Sequence, residues 1–255
     1  MSNTSPILFL AFANDRQNPG RNLRGLPVEL RGLRDALQPA RRAGHIEIVE
    51  RANATLGEIF DVFQDPAYKG RIKAFHFAGH ADSYTLLFES DRGNAPEAAN
   101  AEAFSRFLAG QQGLEFVFLN ACATAQQAID LRASGIPAVI ATDEDINDTV
   151  ATRFAIRFYK GIGAYLPVSK AFNDAQQELL VRLNPDEGLR GLYWEGKSSS
   201  SKIDTLPWKL YPHKGSHWKL SGGGKPQDGQ SKPLIGPYAQ FLVNRYEQDN
   251  EFTSR

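Results

Sequence analysis

Cysteine is nearly absent from this sequence. Its 255 residues include a single cysteine, Cys122, which excludes an internal disulfide and a metal site built from cysteines alone. A free cysteine is often an inert, buried side chain. It is also a strong nucleophile once it is ionised. Cys122 is therefore the first residue whose role has to be explained.

Excess charge and long apolar runs are lacking as well. The 29 basic residues balance 29 acidic residues, whereas a dedicated nucleic-acid-binding protein needs a basic excess to neutralise phosphates. The longest apolar run, residues 6–13, is too short to cross a membrane, and no signal-peptide pattern precedes it. The composition, 42% hydrophobic and 23% charged, is that of a folded globular protein. We therefore expect a cytoplasmic protein with no direct nucleic-acid partner and no membrane partner.

Apolar segments of two periodicities alternate along residues 6–183. Apolar or alternating runs predict strands at residues 6–13, 45–50, 72–79, 84–88, 115–121 and 138–142. Apolar residues at helical spacing predict helices between them, and the first helix is expected to end near Pro39 after a stripe of Leu26, Leu30, Leu33 and Leu37. This alternation predicts an α/β domain with a mainly parallel sheet flanked by helices.

The pattern weakens towards the C-terminus, where the composition divides the chain. We expect residues 1–220 to form the main domain. Glycine and proline in residues 221–233 predict a flexible linker. Residues 234–255 predict a C-terminal helical segment that either packs on the main domain or begins another module, because so short a segment cannot bury a core alone. Trp208 and Trp218 lie in short apolar stretches, typical of edge strands or of a packing flap.

Polar residues follow four of the predicted strands at their carboxyl ends. In chain order these residues are Asn14 with Asp15, then His80, then Cys122, and finally Asp143, Glu144 and Asp145. Open parallel sheets bind ligands beyond these strand ends, and neighbouring strands lie about 4.8 Å apart. His80 and Cys122 are therefore predicted within reach of a proton transfer, as a thiol nucleophile and its base. Residues 123–127 are predicted to begin a helix whose free N–H groups would favour a thiolate and hold an oxyanion.

Three segments, in one order, carry a family resemblance. Residues 75–81 (FHFAGHA) form an apolar strand followed by a histidine, and residues 118–124 (FLNACAT) form one followed by the cysteine. Residues 135–161 continue with a strand, a helix that begins with aspartate and a Phe-Tyr pair. Together they resemble the CHAT domain family, in the caspase, separase and gingipain clan of cysteine peptidases. The resemblance covers roughly residues 6–220, and it implies a caspase-like, three-layer α/β/α fold.

The resemblance also implies roles for individual residues. Cys122 would be the nucleophile and His80 the base, with the backbone N–H groups of Cys122 and Ala81 as the oxyanion hole. Ala81 stands where the family has glycine, so its backbone must reach the required conformation without strain. Asn120 stands where serine is common, at a position that lines the pocket for the substrate residue before the scissile bond. No Asn or Asp that would orient the histidine is evident, so a dyad is expected.

Acidic residues near the strand ends are candidates for the specificity pocket. Relatives in the clan that cleave after Arg or Lys place a carboxylate there, which is a charge-assisted partner for a basic side chain. The predicted substrate-binding residues are Asn120, Asp15, Asp143 and Asp145, with Glu144 as a further candidate. Asp148 is instead predicted to be the N-cap of the next helix.

The other histidines are expected to be structural. His76 lies four residues before His80 on one predicted strand. That spacing chelates a metal on a helix rather than on a strand, so we expect no metal and interpret His76 as a buried, hydrogen-bonded imidazole. His45, His213 and His217 are interpreted as structural or solvated.

Two functions stay open at this point. The first is a cysteine endopeptidase that needs no cofactor and cleaves a protein or peptide substrate. The resemblance implies a role in bacterial defence or signalling, in which a separate protein or a fused sensor module regulates the peptidase. Self-cleavage within residues 197–202 or 221–233 is one candidate for activation. The second is a catalytically silent protein-interaction module, which the alanine at position 81 favours. A nucleotide-binding protein and a serine hydrolase are disfavoured, because the sequence has no Gly-rich phosphate loop and no Gly-x-Ser-x-Gly elbow.

Overall fold

A central sheet organises the part of the chain that the structure describes, residues 5–90, 95–182, 206–212 and 218–220 of a computed structural model. Its strands are β1 (Ile7–Phe12), β2 (Glu47–Arg51), β3 (Ile72–Ala78), β6 (Phe116–Asn120), β7 (Ala138–Thr142) and β8 (Trp208–Pro212). They lie in the order β2-β1-β3-β6-β7-β8. All neighbours pair in parallel except β8, which is antiparallel to β7. The prediction of a mainly parallel α/β sheet is therefore confirmed.

Helices cover both faces of this sheet. Those on one face are α1 (Leu26–Arg42), α5 (Asp148–Gly163) and α6 (Val168–Arg182), and those on the other are α2 (Leu56–Gln64), α3 (Ala101–Ala109) and α4 (Ala125–Ala133). Strand β1 shows why its sequence is apolar throughout: Leu8 and Leu10 join the core under α1, α5 and α6, while Ile7 and Phe9 join the opposite core. A strand that is buried on both faces has apolar side chains on both of them, so its sequence does not alternate between apolar and polar residues. The three-layer arrangement is as predicted.

The first helix is longer than predicted. It continues through Pro39 to Arg42 instead of ending at the proline. A proline inside a helix removes one N–H and frees the carbonyl four residues earlier. Here that residue, Asp35, is exposed, so water can satisfy the carbonyl. Ala40, which follows the proline, is fully buried in the core and favours continuation of the helix.

The N-cap predicted for the helix after β7 is wrong by one residue. Asn147 caps α5, and its Oδ1 accepts hydrogen bonds from the N–H groups of Thr149 (2.9 Å) and Val150 (3.3 Å). An asparagine side chain satisfies these donors as well as an aspartate does. Asp148 is therefore the first helical residue, and its Oδ2 instead accepts a hydrogen bond from the N–H of Gly25 at 2.6 Å. This bond ties α5 to the segment before α1.

A two-stranded antiparallel hairpin is inserted between β3 and α3. It consists of β4 (Thr85–Phe88) and β5 (Glu97–Asn100). The sequence predicts β4 but not β5, because Glu97-Ala-Ala-Asn100 has no β-branched or aromatic residue. The edge-strand interpretation of Trp208 is confirmed by β8.

Several predictions lie outside the described residues. They concern the loop at 197–202, the linker at 221–233, the segment at 234–255 and the histidines at 213 and 217. In the parts of the chain that are described, no helix is long and apolar enough to span a membrane.

Candidate active site

The strand order places a crevice beside β1. The chain leaves β1 for β2 on one side and then crosses to β3 on the other, and ligands of open α/β sheets bind at such a reversal, beyond the carboxyl ends of the strands. A cavity of about 240 Å³ lies beyond the carboxyl ends of β3, β6 and β7, next to the start of α1 and the segment that precedes it. Six of its lining residues matter for the chemistry: Arg21, Glu29, His80, Asn120, Cys122 and Asp145. The histidine and the cysteine predicted to meet therefore face one cavity.

His80 is held by a backbone carbonyl. Its Nε2 is hydrogen-bonded to the carbonyl oxygen of Arg21. A carbonyl oxygen only accepts, so Nε2 carries the proton and Nδ1 of the neutral ring has a free lone pair. The Arg21 carbonyl is the orienting group that the sequence does not reveal, because a backbone atom has no residue-type signature.

The electrostatic surroundings of His80 favour its neutral form. Burial lowers the pKa of His80 from its ordinary value, because desolvation disfavours the imidazolium. The positive charge of Arg21 acts in the same direction, while its carbonyl and the carboxylates of Asp15 and Asp148 oppose the shift. A neutral imidazole with a free Nδ1 is able to accept a proton.

Cys122 follows β6, the strand that pairs with β3, and is partly buried. Burial raises the pKa of the Cys122 thiol, the negative charge of Asp145 raises it further, and a hydrogen bond from the backbone N–H of Ile146 opposes both. The expectation that a helix start would favour the thiolate is therefore wrong. The helix α4 begins only at Ala125, and desolvation outweighs the N–H donor. Among the described residues, no hydrogen bond joins the thiol to His80.

The loop after the cysteine is fixed by two buried threonines. The Oγ1 of Thr124 accepts a hydrogen bond from the N–H of Thr142 at 3.1 Å, and the Oγ1 of Thr142 donates to the carbonyl of Ala121. Between the cysteine and this anchor, Ala123 has a positive φ of 51°, a conformation that non-glycine residues seldom adopt. The tie between β6 and β7 therefore holds a strained turn immediately after the thiol.

Two backbone N–H groups remain available beside the cavity. The N–H groups of Ala81 and Cys122 donate no hydrogen bond to any described residue. Ala81 is not among the described residues with positive φ, so alanine is tolerated there without the strain expected from the loss of glycine. Gly79 is the constrained glycine of this turn, because a Cβ on it would lie 2.7 Å from the carbonyl oxygen of Ala13.

The predicted substrate-binding residues are placed differently from one another. Asn120 and Asp145 line the cavity. Asp15 is buried and forms an ion pair with Arg21 at 3.7 Å, so it acts on the cavity through that residue. Asp143 does not line the cavity and pairs with Lys209 of β8 at 3.6 Å.

Glu29 is the cavity residue that the sequence analysis does not identify. It lies on α1, is 1% exposed, and contributes to the cavity lining. Its Oε1 accepts a hydrogen bond from the Nδ2 of Asn120 at 2.9 Å and lies 3.1 Å from the Nε2 of His76. The sequence did contain a pattern that could have identified Glu29. It lies three residues after Leu26, on the apolar stripe of a helix that faces the core, where a charged residue is out of place.

His76 is the buried, hydrogen-bonded imidazole that the sequence predicts. It is fully enclosed on β3. Its ring packs edge-on against the rings of Phe118 and Tyr159. Within the described parts of the chain, no group of three or more His, Cys, Asp or Glu side chains is arranged to hold a metal ion.

Comparison with protein families gives one strong match. A family model described as the CHAT domain matches residues 2–222, which is most of the chain and includes every cavity residue. No curated protein matches the chain in sequence.

A solved cysteine protease structure shares the fold of this chain. The chain is similar to a secreted C11 cysteine protease from Bacteroides thetaiotaomicron in complex with an irreversible peptide inhibitor (TM-score 0.51, 12% identity, covering 71% of this chain and 60% of that chain). It is also similar to the Drosophila initiator caspase Dronc (TM-score 0.48, 9% identity, 72% and 76%) and to gingipain R from Porphyromonas gingivalis (0.44, 14%, 72% and 44%). At 12% identity the first similarity shows the caspase-like fold alone, and the chain spans about three fifths of that protease.

Proposed function

The chain belongs to the CHAT domain family, and on that basis we propose that it is a cysteine endopeptidase in which Cys122 and His80 form the catalytic dyad. The observation that carries the proposal is the oriented imidazole: Nε2 is held by the Arg21 carbonyl, which leaves Nδ1 as a base beside the cavity that the thiol also faces.

The reaction follows from the protonation states of the two groups. Since burial favours the neutral thiol and the neutral imidazole, the thiol proton passes to Nδ1 of His80 as Sγ attacks the substrate carbonyl carbon. The C–N bond then breaks, the imidazolium returns its proton to the leaving amine, and a thioester remains on Cys122. Water, deprotonated by the same imidazole, hydrolyses the thioester and restores the thiol. No metal or organic cofactor takes part in these steps.

The charge that develops on the substrate oxygen needs donors. The backbone N–H groups of Cys122 and Ala81 supply them in this proposal, and the absence of any other acceptor for them among the described residues supports it. Donors that are already oriented need no reorganisation as the oxyanion forms, which is the main source of their catalytic effect.

Substrate contacts and regulation belong to the same proposal. Asn120 and Asp145 line the cavity in which the substrate would lie, while Asp15 and Asp143 would act through their partners Arg21 and Lys209. The substrate is a protein or peptide. The sequence pattern favours a cytoplasmic setting, and the family resemblance favours a role in bacterial defence or signalling, with a regulatory protein or a sensor module that controls cleavage.

One observation favours a second candidate, a catalytically silent protein-interaction module. The pKa of Cys122 is raised rather than lowered, and no hydrogen bond joins the thiol to His80 within the described structure. Such a module would keep the cavity as a binding site for a peptide and would release no product.

A peptide-library experiment separates the two candidates. Wild type, Cys122→Ala, His80→Ala and the matched control His45→Ala are incubated with the library, and products are identified by mass spectrometry. We expect products with wild type and His45→Ala, none with Cys122→Ala, and at least about 10²-fold less with His80→Ala, because His45 lies away from the cavity and bonds Tyr165. Equal cleavage by Cys122→Ala would overturn the proposed dyad. A peptide that binds wild type but is never cleaved would favour the silent module.

A further inference from the structure

The buried carboxyl group of Glu29 has one engaged oxygen and one free oxygen. Oε1 receives the Asn120 amide, and the His76 ring nitrogen lies at hydrogen-bond distance from it. No hydrogen bond among the described residues engages Oε2. Oε2 is nevertheless not one of the fully enclosed polar atoms that lack partners, so it keeps some accessible surface, and Glu29 is a lining residue of the cavity. A buried carboxylate oxygen without a donor is an incomplete site, because charged groups in an interior need partners.

The amide of Asn120 cannot itself provide this acceptor. Its Nδ2 is directed at Glu29, and its Oδ1 accepts a hydrogen bond from the indole Nε1 of Trp208 at 3.2 Å. Both ends of the side chain are therefore engaged by the protein. The free acceptor at the base of the cavity belongs to Glu29.

The remaining walls suit a long side chain with a charged end. Apolar contributions come from Leu23, Leu26, Ile146 and Ala151. The volume of about 240 Å³ is below the range of whole-ligand pockets, so it suits one side chain. An arginine or lysine has an apolar stem and a cationic tip, which matches apolar walls that end at a carboxylate.

The charges around the cavity point the same way. Asp145 and Asp148 add two carboxylates to Glu29, and the only formally cationic lining residue is Arg21 among those described. Arg21 is half exposed and is paired with Asp15. A cation entering the cavity therefore meets a net negative field.

We propose that Glu29 is the specificity-determining residue of this site and that its Oε2 binds the guanidinium or ammonium group of the substrate residue whose carbonyl Cys122 attacks. The side chain of that residue begins two bonds from the reacting carbon, so it is the one that reaches a cavity lined by the thiol. The proposal rests on the proposed peptidase function for its kinetic consequence, but cation binding by Glu29 does not depend on cleavage.

The kinetic test uses peptides that differ in one charge. Matched fluorogenic peptides carry arginine, its uncharged analogue citrulline, or glutamate before the scissile bond. Wild type should favour arginine over citrulline by about 10-fold to 100-fold in kcat/KM, the range for a hydrogen bond to a charged group. Glu29→Gln should reduce that ratio to near one. The control Glu115→Gln, at the opposite end of β6 and paired with Lys73, should keep the wild-type ratio.

Three outcomes of this test contradict the proposal. Wild type that cleaves citrulline as well as arginine would show that Glu29 does not read charge, while the peptidase function would stand. Preference for glutamate would assign recognition to Arg21 instead. A purely structural Glu29 would lower stability on substitution and leave the arginine-to-citrulline ratio intact.

A binding test keeps the inference separate from catalysis. The variant Cys122→Ala is titrated with n-butylguanidinium and with the uncharged n-butylurea, and the indole N–H signal of Trp208 is followed by NMR, because this indole bonds Asn120 next to Glu29. A saturable shift is expected with butylguanidinium, and binding should be at least about 10-fold weaker for butylurea. Equal binding of the two probes, or no shift with either, would overturn the proposal even if the protein proves to be a peptidase.

Folding of the variant is controlled by a second substitution. If Glu29→Gln does not fold, Glu29→Asp is tested in its place. Its side chain is one methylene shorter and retains the negative charge. It should keep a preference for butylguanidinium over butylurea, and loss of that preference in a folded Glu29→Asp protein would contradict the role of the charge.

Discussion

Two histidines lie four residues apart in different surroundings, His76 on β3 and His80 in the turn that follows it. His76 is fully buried among aromatic rings, next to the carboxyl group of Glu29. His80 lies at the end of the strand, where its partner is the carbonyl of Arg21 and its other nitrogen is free. The same side chain, four residues apart, is a structural element in one place and a candidate base in the other. The difference is made by α1 and by the loop before it, which supply the partners of both rings.

The largest expected effect is on activity at the strand end. His80→Ala removes the proton acceptor from the proposed reaction, so kcat/KM for a cleaved peptide should fall by about 10²- to 10⁴-fold. The free energy of unfolding should change by less than about 1 kcal/mol, because this ring is only partly buried. Peptide kinetics and urea unfolding of the same preparation measure both. If His80→Ala lost stability and kept its activity, His80 would be a structural residue and not the base.

The opposite result is expected inside the strand. His76→Ala leaves a cavity and removes a hydrogen-bond partner of Glu29, and loss of a large buried ring costs about 3 kcal/mol or more. The unfolding midpoint in urea should fall accordingly, while kcat/KM of the folded protein should fall far less than for His80→Ala. His76→Gln, which retains an N–H donor, should recover part of the stability. A change no larger than that of His45→Ala would show that the buried pair contributes little.

The sequence predicts the fold well because its signals are local. Strand β1 is apolar at every position, and the stripe on α1 repeats at helical spacing, so element type and order follow from periodicity. The same logic places His80 and Cys122 at one edge of the sheet. The hairpin strand β5 is missed because its four residues pack weakly and carry no propensity signal.

The site is only partly predictable because its partners are distant in sequence. Glu29 meets Asn120 across 91 positions, and Arg21 meets His80 across 59. Periodicity carries no information about such contacts. The ionisation of Cys122 is also misjudged, because a motif shows which residue is the thiol but not how far the folded chain removes it from water.

A smaller effect is expected on the thiol itself. The pKa of Cys122 is raised first by burial and then by the charge of Asp145, so alkylation by iodoacetamide should be slow at neutral pH and should accelerate through an inflection above that of an ordinary thiol. Asp145→Asn removes a negative charge and therefore lowers this pKa. Because Asp145 is exposed, the rate below the inflection should rise only about 2- to 5-fold.

The control for this measurement removes a charge one position away. Glu144→Gln should leave the alkylation profile unchanged, since that carboxyl group does not contribute to the shift of Cys122. An inflection at or below the ordinary thiol value in wild type would mean that the thiolate is stabilised after all.

The smallest effect is expected at the residue that holds His80, because it does so with its backbone. Arg21→Ala keeps the carbonyl that orients Nε2 and removes a positive charge that lowers the pKa of His80. That pKa should therefore rise, and the acidic limb of the profile of kcat/KM against pH should move to higher pH. The side chain is half exposed, so solvent screens its charge and the shift should be small, with kcat/KM above the inflection within about 3-fold of wild type. A loss of 10²-fold at all pH values would instead assign the Arg21 side chain a direct contact with the substrate, and the carbonyl would no longer account for the role of this residue.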